Sequence, residues 1–313
     1  MKNKKDLMKF KVEEAHHGLS LLTFLKKKCP DLSSVKSLKR AIEAKECLVN
    51  GRVEFFSSYK LVRGDVVELR AILPTAPDKI DCEIVFEDAS LLIINKPAGV
   101  LSDPSAIAKV LGKTISLFLI HRLDKNTSGL LMLAKTSEML QRMKELFVQK
   151  AVHKYYIALV DGSLPKKSGV IENYLGKKGS YQGQTIYGPV EVNQGDQAIT
   201  YWKSLAKGLR CSLVLLEPKT GRTHQLRVHL KEMGHPILGD YQYAKNFVCP
   251  IQPSRQMLHA WALHFIHPLT QEDLWITSSI AEDFIVLSDQ LKLSLHLLLS
   301  SSELIDQIQK KRK

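Results

Sequence analysis

Cysteine is scarce in this sequence, and what there is suits neither disulfide nor metal chemistry. Cys29, Cys47, Cys82, Cys211 and Cys249 are odd in number, and no two stand at C-x-x-C spacing. That argues against a disulfide framework and for free thiols in a reducing compartment. Long apolar runs are also missing. The opening MKNKKDLMKF has no apolar core of the kind a secretory signal carries. The leucine-rich LKLSLHLLLSSSELI is interrupted by Lys292 and His296 and is too short and too polar to cross a bilayer. A cytoplasmic protein without a membrane partner is expected. No H-E-x-x-H occurs, and His224 and His229 stand five apart with no cysteine close by, so no metal site is expected. No internal repeat is visible. Negative charge is short as well: 32 Asp+Glu against 45 Lys+Arg, a formal net charge of +13. An excess of that size calls for an anionic partner such as nucleic acid or a membrane surface.

What is present reads as a globular protein. Hydrophobic residues make up 44% and charged residues 25%, and 313 residues suffice for two domains. Residues 1–60 hold 14 Lys+Arg and 7 Asp+Glu, about half of the net charge. Within them GLSLLTFLKKKC reads as a helix. Val35, Leu38 and Ile42 then recur at i, i+3, i+7 on one face of a second helix, with Lys36, Lys39 and Arg40 largely on the other. ECLVNGRVE carries an Asn50-Gly51 turn between two strand-prone pieces, and LVRGDVVELR reads as a further strand. Residues 12–73 thus form a small α+β module with a basic helical face. ILPTAPDKID reads as a linker, with the boundary near Pro77.

A second domain, 80–290, is strand-rich. EIVFED, LLIINK, GLLMLAK, KYYIALVDG, AITYWKSL and RCSLVLLEP read as strands. SEMLQRMKELFVQK reads as a helix capped by Ser137, with Leu140, Met143 and Phe147 as its apolar stripe. This is an α+β pattern without regular βαβ alternation. Residues 291–313 read as an appended amphipathic helix with a basic KKRK tail.

Three clusters carry candidate chemistry. In HRLDKNTSGL a single carboxylate, Asp124, is flanked by Arg122 and Lys125 just before a buried strand. A carboxylate can act as nucleophile, base or acid only where its charge is controlled. Taken alone, Arg-Leu-Asp is as consistent with a surface ion pair. The second cluster is PKTGRTHQLRVHLKEMGHPILGD. Thr220 to Thr223 suit a turn and helix N-cap, and His224, Arg227 and Lys231 then share one helical face, opposite Leu226, Leu230 and Met233. A basic face at a strand-to-helix junction favours anions. In the third, Lys154, Tyr156, Ala158 and Val160 alternate along one strand face, and Tyr155 points the other way. DKNTSG also has a passing likeness to the aspartates of phosphoryl transfer, but it lacks a second Asp two residues on.

Together these clusters resemble the RluA-type pseudouridine synthases. The resemblance runs from LLIINKPAGV through HRLDKNTSGLLMLAK, KYYIALVDG, TGRTHQLRVHL, GHPILGD and RQMLHAWALHFIHP to AEDFIVL, nearly all of 84–287. Residues 18–70 resemble the small RNA-binding module named after ribosomal protein S4, through SLKRAIEAKECLVNG and VRGDVVEL. The resemblance implies a catalytic domain on a bent, mixed or antiparallel sheet with flanking helices. It implies isomerisation of a uridine in structured RNA, large-subunit ribosomal RNA or tRNA, by a monomer and with no cofactor. Asp124 would be the catalytic carboxylate, Arg227 its ion-pair partner and Tyr156 the residue stacked on the base. Arg122, His121, Thr127, Lys154, Arg222 and His224 would bind substrate, with Arg122 entering the stack as the uridine leaves. Lys36, Lys39, Arg40 and Asn50 would contact RNA from the N-terminal module.

Overall fold

In the computed structural model, residues 7–29, 38–39, 41–42, 46–54, 56–70, 82–112, 116–181, 184–293 and 295 are described. The chain divides into two compact units, Met1–Lys79 with Ser180–Thr185, and Ile80–Gly179 with Ile186–Lys313.

In the smaller unit, β1 (Leu7–Lys11), α1 (Leu21–Lys28), β2 (Cys47–Val49), β3 (Arg52–Val53) and β4 (Val66–Arg70) follow in order. The four strands form a sheet in the order β1-β4-β2-β3, all antiparallel. Ser20 caps α1 by accepting the Thr23 N–H at 3.2 Å. Leu21, Phe24 and Leu25 from α1 are buried with Leu38, Ile42, Val67 and Leu69. The expected stripe through Leu38 and Ile42 therefore faces the core, and Lys39 between them is exposed. Lys36 and Arg40 lie outside the described residues. Asn50 has φ +53, as an Asn-Gly turn requires. Its amide ties that turn to the start of β4, donating to Asp65 Oδ1 and accepting the Val66 N–H, both at 2.8 Å. Asn50 is thus engaged in holding its own turn.

The larger unit contains β5 (Glu83–Glu87), β6 (Leu91–Lys96), α2 (Pro104–Leu111), β7 (Phe118–Leu119), β8 (Ser128–Ala134), α3 (Ser137–Val148), β9 (His153–Asp161), β10 (Ser168–Tyr181), β11 (Gln184–Val190), β12 (Asp196–Gly208), β13 (Cys211–Pro218), α4 (Gln225–Glu232), β14 (Leu258–Ile266), β15 (Asp273–Thr277) and α5 (Glu282–Gln290). Its eleven strands make one sheet in the order β11-β10-β12-β13-β9-β14-β8-β6-β5, with β15 on β14 and β7 on β8. β14 runs parallel to β8 and antiparallel to β9 and β15, so the sheet is mixed. Alternate residues of β6 and β8 feed two different cores. Leu92, Ile94, Leu131 and Leu133 join one, while Leu91, Ile93, Leu130 and Met132 join the other. Burial on both faces is why these strands read as unbroken apolar runs.

Several details correct the sequence reading. The cap of α3 is Thr136, whose Oγ1 accepts the Met139 N–H at 3.1 Å, so Ser137 is the first helical residue. The cap of α4 is His224, in the left-handed region at φ +57. Leu291, Leu293 and Leu295 are buried in the larger unit's main core. The start of the expected appended helix is therefore part of that core, and residues from 296 onward lie outside the described ones.

Candidate active site

Asp124 lies in the loop that feeds β8, and that loop is fixed from several sides. Ser102 Oγ accepts the Leu123 N–H at 2.9 Å and donates to the Leu123 carbonyl at 2.7 Å. The Lys125 carbonyl accepts from the Gly99 N–H at 2.8 Å and from Lys96 Nζ at 3.2 Å. Arg255 Nη1 donates to the Asn126 carbonyl at 3.2 Å, and Gln256 Nε2 donates to Thr127 Oγ1 at 2.8 Å. Arg255 is itself locked by a two-pronged contact to Asp283 of α5, at 2.6 and 2.7 Å. Behind the loop, Gly129 has φ +109 and pairs with Ala260 of β14. A Cβ at this position would overlap the Ala260 carbonyl. Only glycine lets β8 approach β14 this closely.

Lys96 is fully buried, and its three ammonium protons have three acceptors: the carbonyls of Pro97 (2.9 Å), Val100 (2.9 Å) and Lys125 (3.2 Å). Burial, and then the Arg255 cation, push its pKa down to about 7, against the pull of Asp124. Those acceptors match the protonated form, which supplies one hydrogen to each.

Asp124 is 26% exposed, and its cationic partner is Arg227 rather than Arg122. Arg227 Nη1 donates to Asp124 Oδ2 at 3.1 Å. Arg227 is only 6% exposed and comes from the buried length of α4, where Gln225 through Leu230 are all buried. The expected open basic face is therefore split: Arg227 is internal, while Lys231 is exposed and pairs with Glu232. The rest of the guanidinium is held by a residue to which the sequence reading gave no role. Asp240, 2% exposed, takes Arg227 Nε and Nη2 at 2.7 Å each, and Gln242 Oε1 accepts from Nη2 at 2.6 Å. The Tyr243 ring lies 4.9 Å from the guanidinium carbon. Burial works against the Arg227 charge, but Asp240, and Asp124 after it, outweigh burial and raise its pKa above the ordinary arginine value. Asp240 stands in the quoted GHPILGD stretch. Its only signal in the sequence was a lone carboxylate thirteen residues beyond Arg227.

A cavity of about 290 Å³ opens in front of Asp124. His121, Arg122, Asp124, Thr127, Lys154, Tyr156, Arg222, His224 and Arg227 all line it, so these expected site residues converge. Asp124 is the only carboxylate among the described lining residues. Hydrolysis by two cooperating carboxylates calls for a second acid, which the described lining does not supply. Tyr156 and Lys154 share the cavity face of β9, while Tyr155 packs on Trp275 with ring centroids 5.4 Å apart, as strand alternation predicts. Burial first, and then the nearby Asp124 charge, raise the Tyr156 pKa, so its phenol stays protonated at neutral pH.

His224 Nδ1 is 2.7 Å from Tyr243 Oη, and its Nε2 is 3.8 Å from Asp124. Burial and the Arg227 cation push its pKa down to about 4, so it faces Asp124 as a neutral ring. His121 Nε2 accepts the Met132 N–H at 3.1 Å, and burial lowers its pKa to about 3. Its ring supports the loop as well as lining the cavity. Arg222 is half-exposed, with Asp196 at 3.7 Å and a hydrogen bond to the Gln197 carbonyl at 3.0 Å. The arrangement holds one carboxylate, paired with Arg227, at the wall of a recess of about 290 Å³, beside an aromatic face and beneath a cationic rim.

Comparison with known proteins assigns the class. Residues 90–232 match the family model of RNA pseudouridylate synthase. The chain is 35% identical over 242 residues to a tRNA pseudouridine synthase C of Haemophilus ducreyi, covering 67% of this chain and 96% of that one. It is 30% identical over 298 residues to a ribosomal large subunit pseudouridine synthase C of Vibrio vulnificus, covering 87% and 92%. The solved structure of human RNA pseudouridylate synthase domain containing 4 superimposes with a TM-score of 0.56 at 28% identity, covering 68% of this chain and 94% of that one. The chain belongs to the RNA pseudouridine synthases of the RluA type. It is an isomerase that converts uridine to pseudouridine in RNA.

Proposed function

We propose that the substrate is large-subunit ribosomal RNA and that Asp124 is the catalytic carboxylate. The single observation carrying the second point is the chain of contacts from buried Asp240 to Arg227 to Asp124, which delivers one oriented negative charge to a cavity whose described lining holds no other carboxylate. The target uridine leaves its stack to reach the recess, because its glycosidic bond is inaccessible within a helix. Arg122, exposed at the rim, takes the vacated position. Asp124 acts on the sugar as the base is detached, turned and rejoined through carbon. Tyr156 stacks on the base and, once the new bond has formed, relays the proton that leaves the base carbon: its protonated phenol oxygen accepts that proton as its own hydrogen passes to water. Thr127, Lys154, Arg222 and His224 hold the nucleotide. Lys36, Lys39 and Arg40 of the N-terminal module contact flanking RNA.

The ribosomal assignment is supported by the extent of the similarity. Relatives named for the large subunit align over 67%, 70% and 87% of the chain, and one named for tRNA over 67%. The net charge of +13 suits a large folded RNA. Pseudouridine mapping of total RNA, with and without the gene, tests the assignment. Loss of one or more sites in large-subunit ribosomal RNA is expected. Losses confined to tRNA would move the substrate there.

A further inference from the structure

A second cavity, of about 400 Å³, adjoins the first. Lys154, Thr220, Gly221 and Arg222 line both. The second is completed by the C-terminal end of α3 and the start of β9, which add Lys150 and His153, and by Lys219 from the end of β13. No carboxylate is among its described lining residues. Glu217, just before the lining residues Pro218 and Lys219, is already engaged, with Lys219 Nζ at 2.5 Å and His153 Nδ1 at 3.4 Å. Lys150 and Lys154 have no carboxylate partner among the described residues. Lys154 stands at the junction of the two cavities, with its Nζ over the Phe147 ring at 5.4 Å and 3.7 Å from where a Gly221 Cβ would be. A side chain at residue 221 would therefore stand against that amine where the cavities join.

We propose that this second cavity holds the RNA backbone next to the flipped uridine, with Lys154 at the intervening phosphate and Lys150 and Lys219 at the next one along. The inference rests on the RNA reading of the adjoining site and adds a direction in which the strand leaves it. The ligand is a polyanion because the lining supplies four cations, Lys150, Lys154, Lys219 and Arg222, against two flanking acids, Glu217 and Asp196, that pair with Lys219 and Arg222. It is met as a single strand because a base rotated into the first cavity is itself unpaired, and the backbone joining it to the next nucleotide is no longer held in a helix at that point. Burial lowers the Lys154 pKa to about 8, so a phosphate there would also restore a charge that the protein alone leaves weakly supported.

The test is binding of a single-stranded uridine oligomer across a series of salt concentrations, using the full-length chain. The pair Lys150→Gln and Lys219→Gln should flatten the dependence of log K on log salt by about 1.4, two contacts at roughly 0.7 each on single strands. A control pair, Lys109→Gln and Lys207→Gln, removes two exposed lysines from the same unit and should leave the slope unchanged. In single turnover at saturating RNA, the Lys150/Lys219 variant should form pseudouridine at the wild-type rate, with only the half-saturating RNA concentration raised. Wild-type binding with an unchanged slope in that variant, or an equal loss in the control, overturns the groove alone. Failure of the wild-type chain to bind the oligomer at low salt overturns both the groove and the RNA reading beneath it.

Discussion

Asp240→Asn is the perturbation that most sharply separates this site from a surface ion pair. In the native chain the Asp240 carboxylate accepts from Arg227 Nε and Nη2 at 2.7 Å each, with the two side chains 2% and 6% exposed. Asparagine keeps the shape but has one acceptor. Its NH2 group must face an N–H donor of the guanidinium. One charge-assisted bond is lost, at about 1.5–3 kcal/mol. Breaking a buried pair outright costs roughly 3–5 kcal/mol. Asp124 still compensates the arginine, so the low end applies, about 3 kcal/mol. Trp202, Trp261 and Trp275, the chain's three tryptophans, all belong to the larger unit, so their fluorescence in urea reports on that unit. Single-turnover pseudouridine formation should fall with the stability, because Arg227 is left to pivot and Asp124 loses its fixed partner. Combining Asp240→Asn with Arg227→Met should cost less than the two separate losses summed, since no lone charge remains buried. If Asp240→Asn unfolds within 1 kcal/mol of wild type and turns over normally, Asp240 does not hold Arg227 and the chain of contacts is irrelevant to catalysis.

Other outcomes follow from the same geometry. Tyr156→Phe should block turnover, whereas Tyr155→Phe, on the other face of β9, should leave it intact; equal effects in a single-turnover assay would refute the face assignment. Gly129→Ala should destabilise the larger unit by more than about 3 kcal/mol in urea unfolding, because the new methyl meets the Ala260 carbonyl at a backbone φ of +109. Stability should also fall in mild acid. His229 and His259 are fully buried, and burial lowers their pKa values to about 4 and about 3. Below the ordinary histidine value the unfolded chain takes up protons that the native chain refuses, so each histidine withdraws about 1 kcal/mol per pH unit as pH falls from 6.5 towards 4. A urea midpoint that stays flat between pH 7 and pH 5 would contradict this.

The strands that carry the site were legible because their chemistry is local. LLIINK and GLLMLAK are buried on both faces and so read as apolar runs, and KYYIALVDG separated Tyr156 from Tyr155 by simple alternation. β10 and β11 were not legible, since Lys177, Lys178, Gly179 and Ser180 look like loop. Helical periodicity misled at α4. It grouped Arg227 with Lys231, but a helix with six consecutive buried residues has no solvent face over that length. Asp240 and Arg255 were invisible for another reason. Each acts on a group far away in the chain, Arg227 across thirteen residues and Asn126 across 129, and no local pattern records such a partner.

On the proposed mechanism a single carboxylate, Asp124, performs the chemistry. Asp124→Asn keeps the side chain's shape and leaves Arg227 held by Asp240 and Gln242, so the variant should fold and bind RNA nearly as the wild type does. The decisive measurement is its single-turnover yield of pseudouridine on RNA taken from cells lacking the gene. Wild-type protein should restore the missing sites, and the variant should restore none at saturating concentration. Activity above a few per cent of wild type would assign the reaction to another group.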